Sequence, residues 1–191
     1  IKSREKLNLG KGKFVVMFNR HFEPVYGINT MLESFKIFSE GKEDVLLLML
    51  SEGSQKNIAL KFITDNKLEE KVCLIGKVAN KELPHFLNSA DVYISTSVSD
   101  GTSLSLLEAM ACGLGLVLTD VPAIKEWANE SNSLVVPRNN SKEAANALER
   151  YYTNRELIKQ HGFNNINIAQ QRADWDKNYL ILKDIYKKIA S

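Results

Sequence analysis

Cysteine is almost absent from this chain. Its 191 residues contain only Cys73 and Cys112, the first in a strand-like apolar run and the second near the end of a helix-like one. Both read as reduced core thiols, which suits a cytoplasmic protein. No CxxC pair or Cys/His cluster exists, which argues against a structural zinc site. Long apolar runs are missing too: the longest, Val45 to Leu50, is far too short to cross a bilayer. No signal-peptide pattern is present. A chain opening on Ile1 rather than Met is expected to be a fragment of a longer protein. Charge of one sign is also not in excess. The net charge is +2 with the lysines scattered, which argues against a nucleic-acid partner. That mildly basic balance still permits peripheral contact with an anionic membrane surface, as at the inner face of a membrane. His21, His85 and His161 are isolated, so none is expected to be a catalytic base.

What the chain does contain is a regular alternation. Hydrophobic residues make up 44% of it and charged residues 25%, so a globular domain with a substantial core is within reach. Strand-like runs fall at Phe14–Phe18, Val45–Leu50, Val72–Ile75, Val92–Ser95, Leu116–Thr119 and Leu134–Val136. The second lacks polar alternation, as a strand covered on both faces should. Helical patterns separate them: Gly27–Phe38, Lys56–Asn66, Lys81–Ser89 with Asn80 as N-cap, Ser103–Ala111 closed by Gly113, and Pro122–Asn129. Lys142–Tyr152, Arg155–Gln171 and Trp175–Ile189 follow as helices. This is an α/β chain with a doubly wound, six-stranded parallel sheet, expected in the order 3-2-1-4-5-6, and with C-terminal helices. Residues 1–173 form the Rossmann-like unit. A break at Ala173–Asp174 sets off residues 174–191, a last helix that packs on this unit or reaches toward a missing neighbour.

Ligands of such sheets bind beyond the carboxyl ends of the strands, where the strand order reverses. That places Arg20, after strand one, opposite the loop Thr96–Ser103, after strand four. Gly101 lets backbone approach a ligand. Thr102 and Ser103 open a helix, whose N–H groups and dipole favour phosphate. Arg20 adds a permanent, fork-shaped cation. Glu108 can accept both hydrogens of a ribose diol, and Asp100 can do the same for a second group. Simpler readings stand beside these. Asp100-Gly101 is a common turn dipeptide, and Ser105 to Glu108 matches a capping box if the helix starts at Ser105. Gly113-Leu114-Gly115 follows a helix, the wrong context for a dinucleotide motif. No GxGxxG follows strand one and no P-loop is present, which disfavours a dinucleotide-dependent oxidoreductase.

The segment SDGTSLSLLEAMACGLGLVLTDVPAIKE, Ser99 to Glu126, resembles the donor-site signature of GT-B glycosyltransferases, more narrowly the retaining group called family 4. The shared pattern is an acidic residue, a nearby glycine, and a Glu eight positions after the first acid, here Asp100 and Glu108. The likeness extends through GKVANKELPHFLNSADVYISTS, Gly76 to Ser97, and FNRHFEPVYGINTMLESF, Phe18 to Phe35. It also takes in the closing helix, Trp175 to Ile189. The resemblance implies that Arg20 contacts the donor diphosphate and that Asp100 holds sugar hydroxyls. Gly101, Thr102 and Ser103 would present amides to sugar and phosphate. Leu104 would lie beside ribose and phosphate, Glu108 would bind the ribose, and Gly76, Lys77 and Val78 would lie against the base. It implies no metal and no cofactor beyond a UDP-, GDP- or ADP-sugar donor. The acceptor, a sugar, lipid or other hydroxyl compound, would be held by a separate N-terminal domain.

The chain departs from the family pattern at several points. Tyr26 stands where the family carries a second diphosphate-binding lysine. The first acid is Asp rather than the commoner Glu, and the glycine pair after strand two is reduced to Ser51-Glu52-Gly53. Loss of one preorganised cation corresponds to about 3 kcal/mol of leaving-group stabilisation, with Lys77 or the Tyr26 hydroxyl placed to make up for it. The function expected is retaining transfer of a sugar to an acceptor hydroxyl, with the isolated half catalysing little. The alternatives are a nucleotide-sugar epimerase on the same scaffold and a non-catalytic nucleotide-sugar-binding module.

Overall fold

The computed structural model describes residues 2–7, 9–10 and 12–190. Its centre is a six-stranded sheet, β1 Phe14–Phe18, β2 Val45–Leu50, β3 Val72–Gly76, β4 Val92–Ser95, β5 Gly115–Thr119 and β6 Leu134–Val136. The spatial order is β3-β2-β1-β4-β5-β6 and every pairing is parallel. The expected order is therefore the observed one.

The uninterrupted apolar strands have a direct cause, since β1 and β2 are buried at every residue. Successive side chains of β1 go to opposite faces. Phe14, Val16 and Phe18 join a core with α2 (Ile28–Ser39), α3 (Lys56–Asp65) and α6 (Ser141–Thr153). Val15 and Met17 join the other core, with α4 (Leu83–Leu87), α5 (Leu104–Ala111) and α7 (Arg155–Arg172). Each fully buried residue of this size contributes about 1.5–3 kcal/mol, so the two faces together outweigh any single local propensity. A short N-terminal helix, α1 (Lys2–Lys6), is pinned near the opposite end of the sheet from the site. Its Arg4 donates to Ser89 O, Lys13 O and Asp91 Oδ2 at 2.7–2.9 Å.

Two elements differ from expectation by more than one residue at an end. Helix α4 starts at Leu83, with Glu82 rather than Asn80 at its N-cap, and Pro84 occupies its first turn. Residues Pro122–Glu126 form a 3-10 turn instead of a helix reaching Asn129. There the Asn132 side chain captures the backbone: its Nδ2 donates to Trp127 O at 2.9 Å and its Oδ1 accepts from Asn129 N at 2.7 Å. A side chain that satisfies backbone groups locally removes the incentive to continue a helix.

The last helix, α8 (Trp175–Ala190), leaves Trp175, Tyr179, Leu182, Ile185, Tyr186 and Ile189 exposed along its length. Ser191, the end of that segment, lies outside the described residues. Among the described residues no helix is long and apolar enough to cross a membrane.

Candidate functional site

The carboxyl ends of β1 and β4 adjoin, and the residues that leave them meet. Arg20 is 92% buried by its 8% exposure, unusual for an arginine. Its guanidinium explains this. Nη2 donates to Asp100 Oδ2 at 2.7 Å, and Nη1 donates to Ser105 Oγ at 2.9 Å and to Ser103 Oγ. One face lies over the Tyr26 ring, 4.1 Å from its centroid. Nε is buried without a partner among the described residues.

Helix α5 begins one residue later than the sequence suggests. Ser103 is its N-cap, with Oγ accepting from Leu106 N at 3.3 Å. The backbone N–H groups of Thr102, Ser103, Leu104 and Ser105 find no acceptor among the described residues. A helix end with free amides beside a buried guanidinium has the chemistry to receive an anion. This start also removes the capping-box account of Glu108. With Ser103 as N-cap the third helical residue is Leu106, so Glu108 lies too deep in the helix to cap it.

Glu108 instead faces a cleft of about 250 Å³ that it shares with Asn19, His21, Ser51, Lys77 and Val78. Partial desolvation raises its carboxyl above the ordinary value. Behind the cleft the backbone is irregular. The β2–β3 register shifts at Leu50, Gly76 has φ 79° and Ser51 has φ 108°. The hydroxyl of Ser51 is 2.9 Å from His21 Nδ1, and Asn19 Oδ1 is buried without a partner among the described residues. On the other side of α5 a hollow of about 560 Å³ is lined by Leu104, Leu107, Glu108, Ala173 and Trp175. Leu104 is 75% exposed there.

Two close approaches hold the site together. Gly27, at φ 64°, follows the 3-10 turn Pro24–Tyr26, and a Cβ on it would lie 2.2 Å from Thr96 O. Thr96 Oγ1 donates to Gly27 O at 2.9 Å, and Val98 N donates to Val25 O at 2.9 Å. The turn carrying Tyr26 is thus clamped to the loop leaving β4. Gly53 plays the matching part after β2, where a Cβ would meet Phe22 O at 2.5 Å. Gly101 differs: a Cβ there meets nothing within 4 Å among the described residues, so no contact among them demands glycine.

The expected residues Arg20, Asp100 and Ser103 are therefore in direct contact, with Gly101, Thr102 and Leu104 beside them. Glu108, Lys77 and Val78 share the adjoining cleft, and Gly76, the last residue of β3, immediately precedes Lys77. Sequence reasoning missed the roles of Ser105 and Tyr93. Tyr93 is fully buried, its hydroxyl 3.0 Å from Ser105 Oγ, and burial raises its phenol above the ordinary value. The missed signal is a tyrosine between Val92 and Ile94 in a short strand, which needs a polar partner close by. Tyr26 also acts differently than expected, through its ring on Arg20. Among the described residues, no three His, Cys, Asp or Glu side chains group as a metal site.

A doubly wound sheet with free helix-end amides and a cleft of about 250 Å³ at its switch point defines a Rossmann-like domain. The family described as glycosyl transferases group 1 matches residues 1–168, and the chain belongs to it. It is 25% identical over 182 residues to the phosphatidyl-myo-inositol mannosyltransferase of Mycobacterium leprae, covering 94% of this chain and 48% of that protein. The sucrose-phosphate synthase of Thermosynechococcus elongatus superposes with a TM-score of 0.89 at 22% identity, covering 100% of this chain and 49% of that one. HepE of Anabaena, solved with UDP and glucose, superposes with a TM-score of 0.86 at 21% identity over 100% of this chain and 51% of that one. The chain spans about half the length of the curated relatives it matches, as with 47% and 48% of the first two.

Proposed function

We propose that this chain is the donor-binding half of a retaining glycosyltransferase that moves a sugar from a nucleoside-diphosphate sugar to an acceptor hydroxyl. One observation carries the reading: a buried arginine held against a helix N-terminus whose first amides are free. In this reading the donor diphosphate lies over Thr102–Ser105 and takes charge from Arg20. The nucleoside extends into the cleft, with its ribose on Glu108 and its base against Gly76, Lys77 and Val78. Asp100 takes hydroxyls of the sugar, and Leu104 flanks ribose and phosphate.

The bond to the anomeric carbon breaks through an oxocarbenium-like transition state. Negative charge then grows on the departing diphosphate, where Arg20 and the α5 dipole are fixed in advance. Such preorganised stabilisation lowers the barrier more than an equal interaction in the ground state. The exposed apolar face of α8 supports a crossing to an acceptor-binding half beyond the break at Ala173–Asp174. UDP-, GDP- and ADP-sugars are the donor candidates, with no separate cofactor.

A thermal-shift panel of UDP-, GDP- and ADP-glucose tests the site. Wild type is expected to shift with at least one donor, and Arg20→Ala and Glu108→Ala are expected to lose most of that shift. A shift undiminished in both variants removes the site assignment.

A further inference from the structure

The two groups that the reading above gives to opposite parts of the donor are bound to each other. Arg20 Nη2 is 2.7 Å from Asp100 Oδ2, with side-chain exposures of only 9% and 13%. Nη1 is occupied by Ser103 and Ser105, and the guanidinium face by Tyr26. Among the described residues, Nε alone of the guanidinium nitrogens finds no partner. A diphosphate arriving at α5 thus meets a cation already neutralised, and brings its own negative charge toward the carboxylate that neutralises it. A largely buried pair of this kind interacts far more strongly than the same pair in water.

We infer that Asp100 is an internal counter-ion that competes with the donor diphosphate for Arg20, and that the donor's sugar ends the competition by engaging Asp100 through its hydroxyls. This deepens the donor-site reading and rests on it. An intact sugar nucleotide supplies both replacements, hydroxyl donors for the carboxylate and phosphate oxygens for the guanidinium. A bare nucleoside diphosphate supplies only the second and leaves Asp100 without a partner. The site therefore discriminates between substrate and product: once the sugar has left, Asp100 reclaims Arg20 and the diphosphate is released. Tyr26 is the positioning residue of this exchange. Its ring holds the guanidinium in place while the carboxylate partner changes, and Gly27 and Thr96 fix the turn that carries it. A lysine at that position would add a cation but no flat surface to rest on.

The test is calorimetric titration of the protein with UDP, GDP and ADP and with the glucose conjugate of each. Wild type is expected to bind the best sugar nucleotide about tenfold or more tighter than the matching diphosphate, the scale of one charge-assisted hydrogen bond. Asp100→Asn is expected to bind the bare diphosphate tighter than wild type and to gain less for the sugar nucleotide, so the ratio falls toward one. Tyr26→Phe is expected to keep both affinities, whereas Tyr26→Ala weakens both. Equal tightening of both ligands in Asp100→Asn marks simple loss of a repulsive charge and overturns the inference. A wild-type ratio at or below one overturns it without any variant. A Tyr26→Phe loss as deep as that of Tyr26→Ala assigns the role to the hydroxyl and overturns the positioning role. Failure of wild type to bind any of the six ligands removes the donor-site reading itself. Binding with a ratio of one removes the inference alone.

Discussion

Replacing Gly27 by alanine probes how firmly the Arg20 platform is tied to the loop after β4. Two costs add. At φ 64° a residue with a Cβ sits in the left-handed region, at roughly 1–2 kcal/mol. The new methyl would also lie 2.2 Å from Thr96 O and 3.1 Å from Thr96 C, overlaps with backbone rather than with a flexible side-chain end. Relieving such crowding costs about 1–3 kcal/mol. The sum, about 2–5 kcal/mol, is a large part of the roughly 5–15 kcal/mol stability of an ordinary domain. Urea unfolding at pH 7 measures it, and nucleotide binding on the folded fraction follows, because the displaced turn carries Tyr26 away from Arg20. Gly101→Ala is the control. A Cβ there meets nothing within 4 Å, so stability should stay within about 0.5 kcal/mol of wild type while nucleotide binding falls. A Gly27→Ala protein with wild-type stability refutes the clamp. A Gly101→Ala protein with wild-type binding refutes close ligand approach at that amide.

Three other outcomes are expected. Ser105→Ala removes a partner of both Arg20 and the buried Tyr93 hydroxyl; the unfolding free energy should drop by about 1–3 kcal/mol, and nucleotide affinity should fall with it. His161 lies against Tyr151, with Nδ1 2.7 Å from the hydroxyl, and burial followed by Arg150 lowers its pKa. Its unfolded form therefore takes up a proton first, so its stabilising share is present above the ordinary imidazole range, about pH 6.5, and is lost as pH falls toward the lowered folded value. A urea midpoint that falls over that interval in wild type but not in His161→Gln checks this. Glu108 has the opposite linkage for an acid. Its raised folded pKa means the charged carboxylate slightly destabilises the fold at neutral pH. Glu108→Gln should raise the thermal midpoint a little at pH 7, lose that gain below about pH 4, and weaken nucleoside-diphosphate binding in the same preparation.

The sheet was legible because its strands announce themselves. Phe14–Phe18 and Val45–Leu50 are continuous apolar runs, and burial on both faces leaves such runs no other stable place. The helix boundaries were harder to read. The 3-10 turn at Pro122–Glu126 ends where Asn132 reaches back to Trp127 and Asn129, a side-chain contact that periodicity does not encode. The candidate site was legible as a set of positions, because strand ends fix which loops face each other in a doubly wound sheet. The pairing within that set was not. Nothing in the order of residues joins Arg20 to Asp100, eighty positions away, or separates a tyrosine that offers its hydroxyl from one that offers its ring.

Sequence alone determined the fold class, the strand order, and the identity of the residues at the switch point, because these follow from local hydrophobic pattern and from the limited ways a parallel sheet can be wound. Tertiary structure alone decided what those residues do to one another. It set the start of α5 at Leu104, which freed Glu108 from capping, and it laid Arg20 on Tyr26 with Asp100 as its counter-ion. The physical reason is that charge pairing and ring stacking depend on distances of a few ångströms across the fold, and chain order does not set those distances.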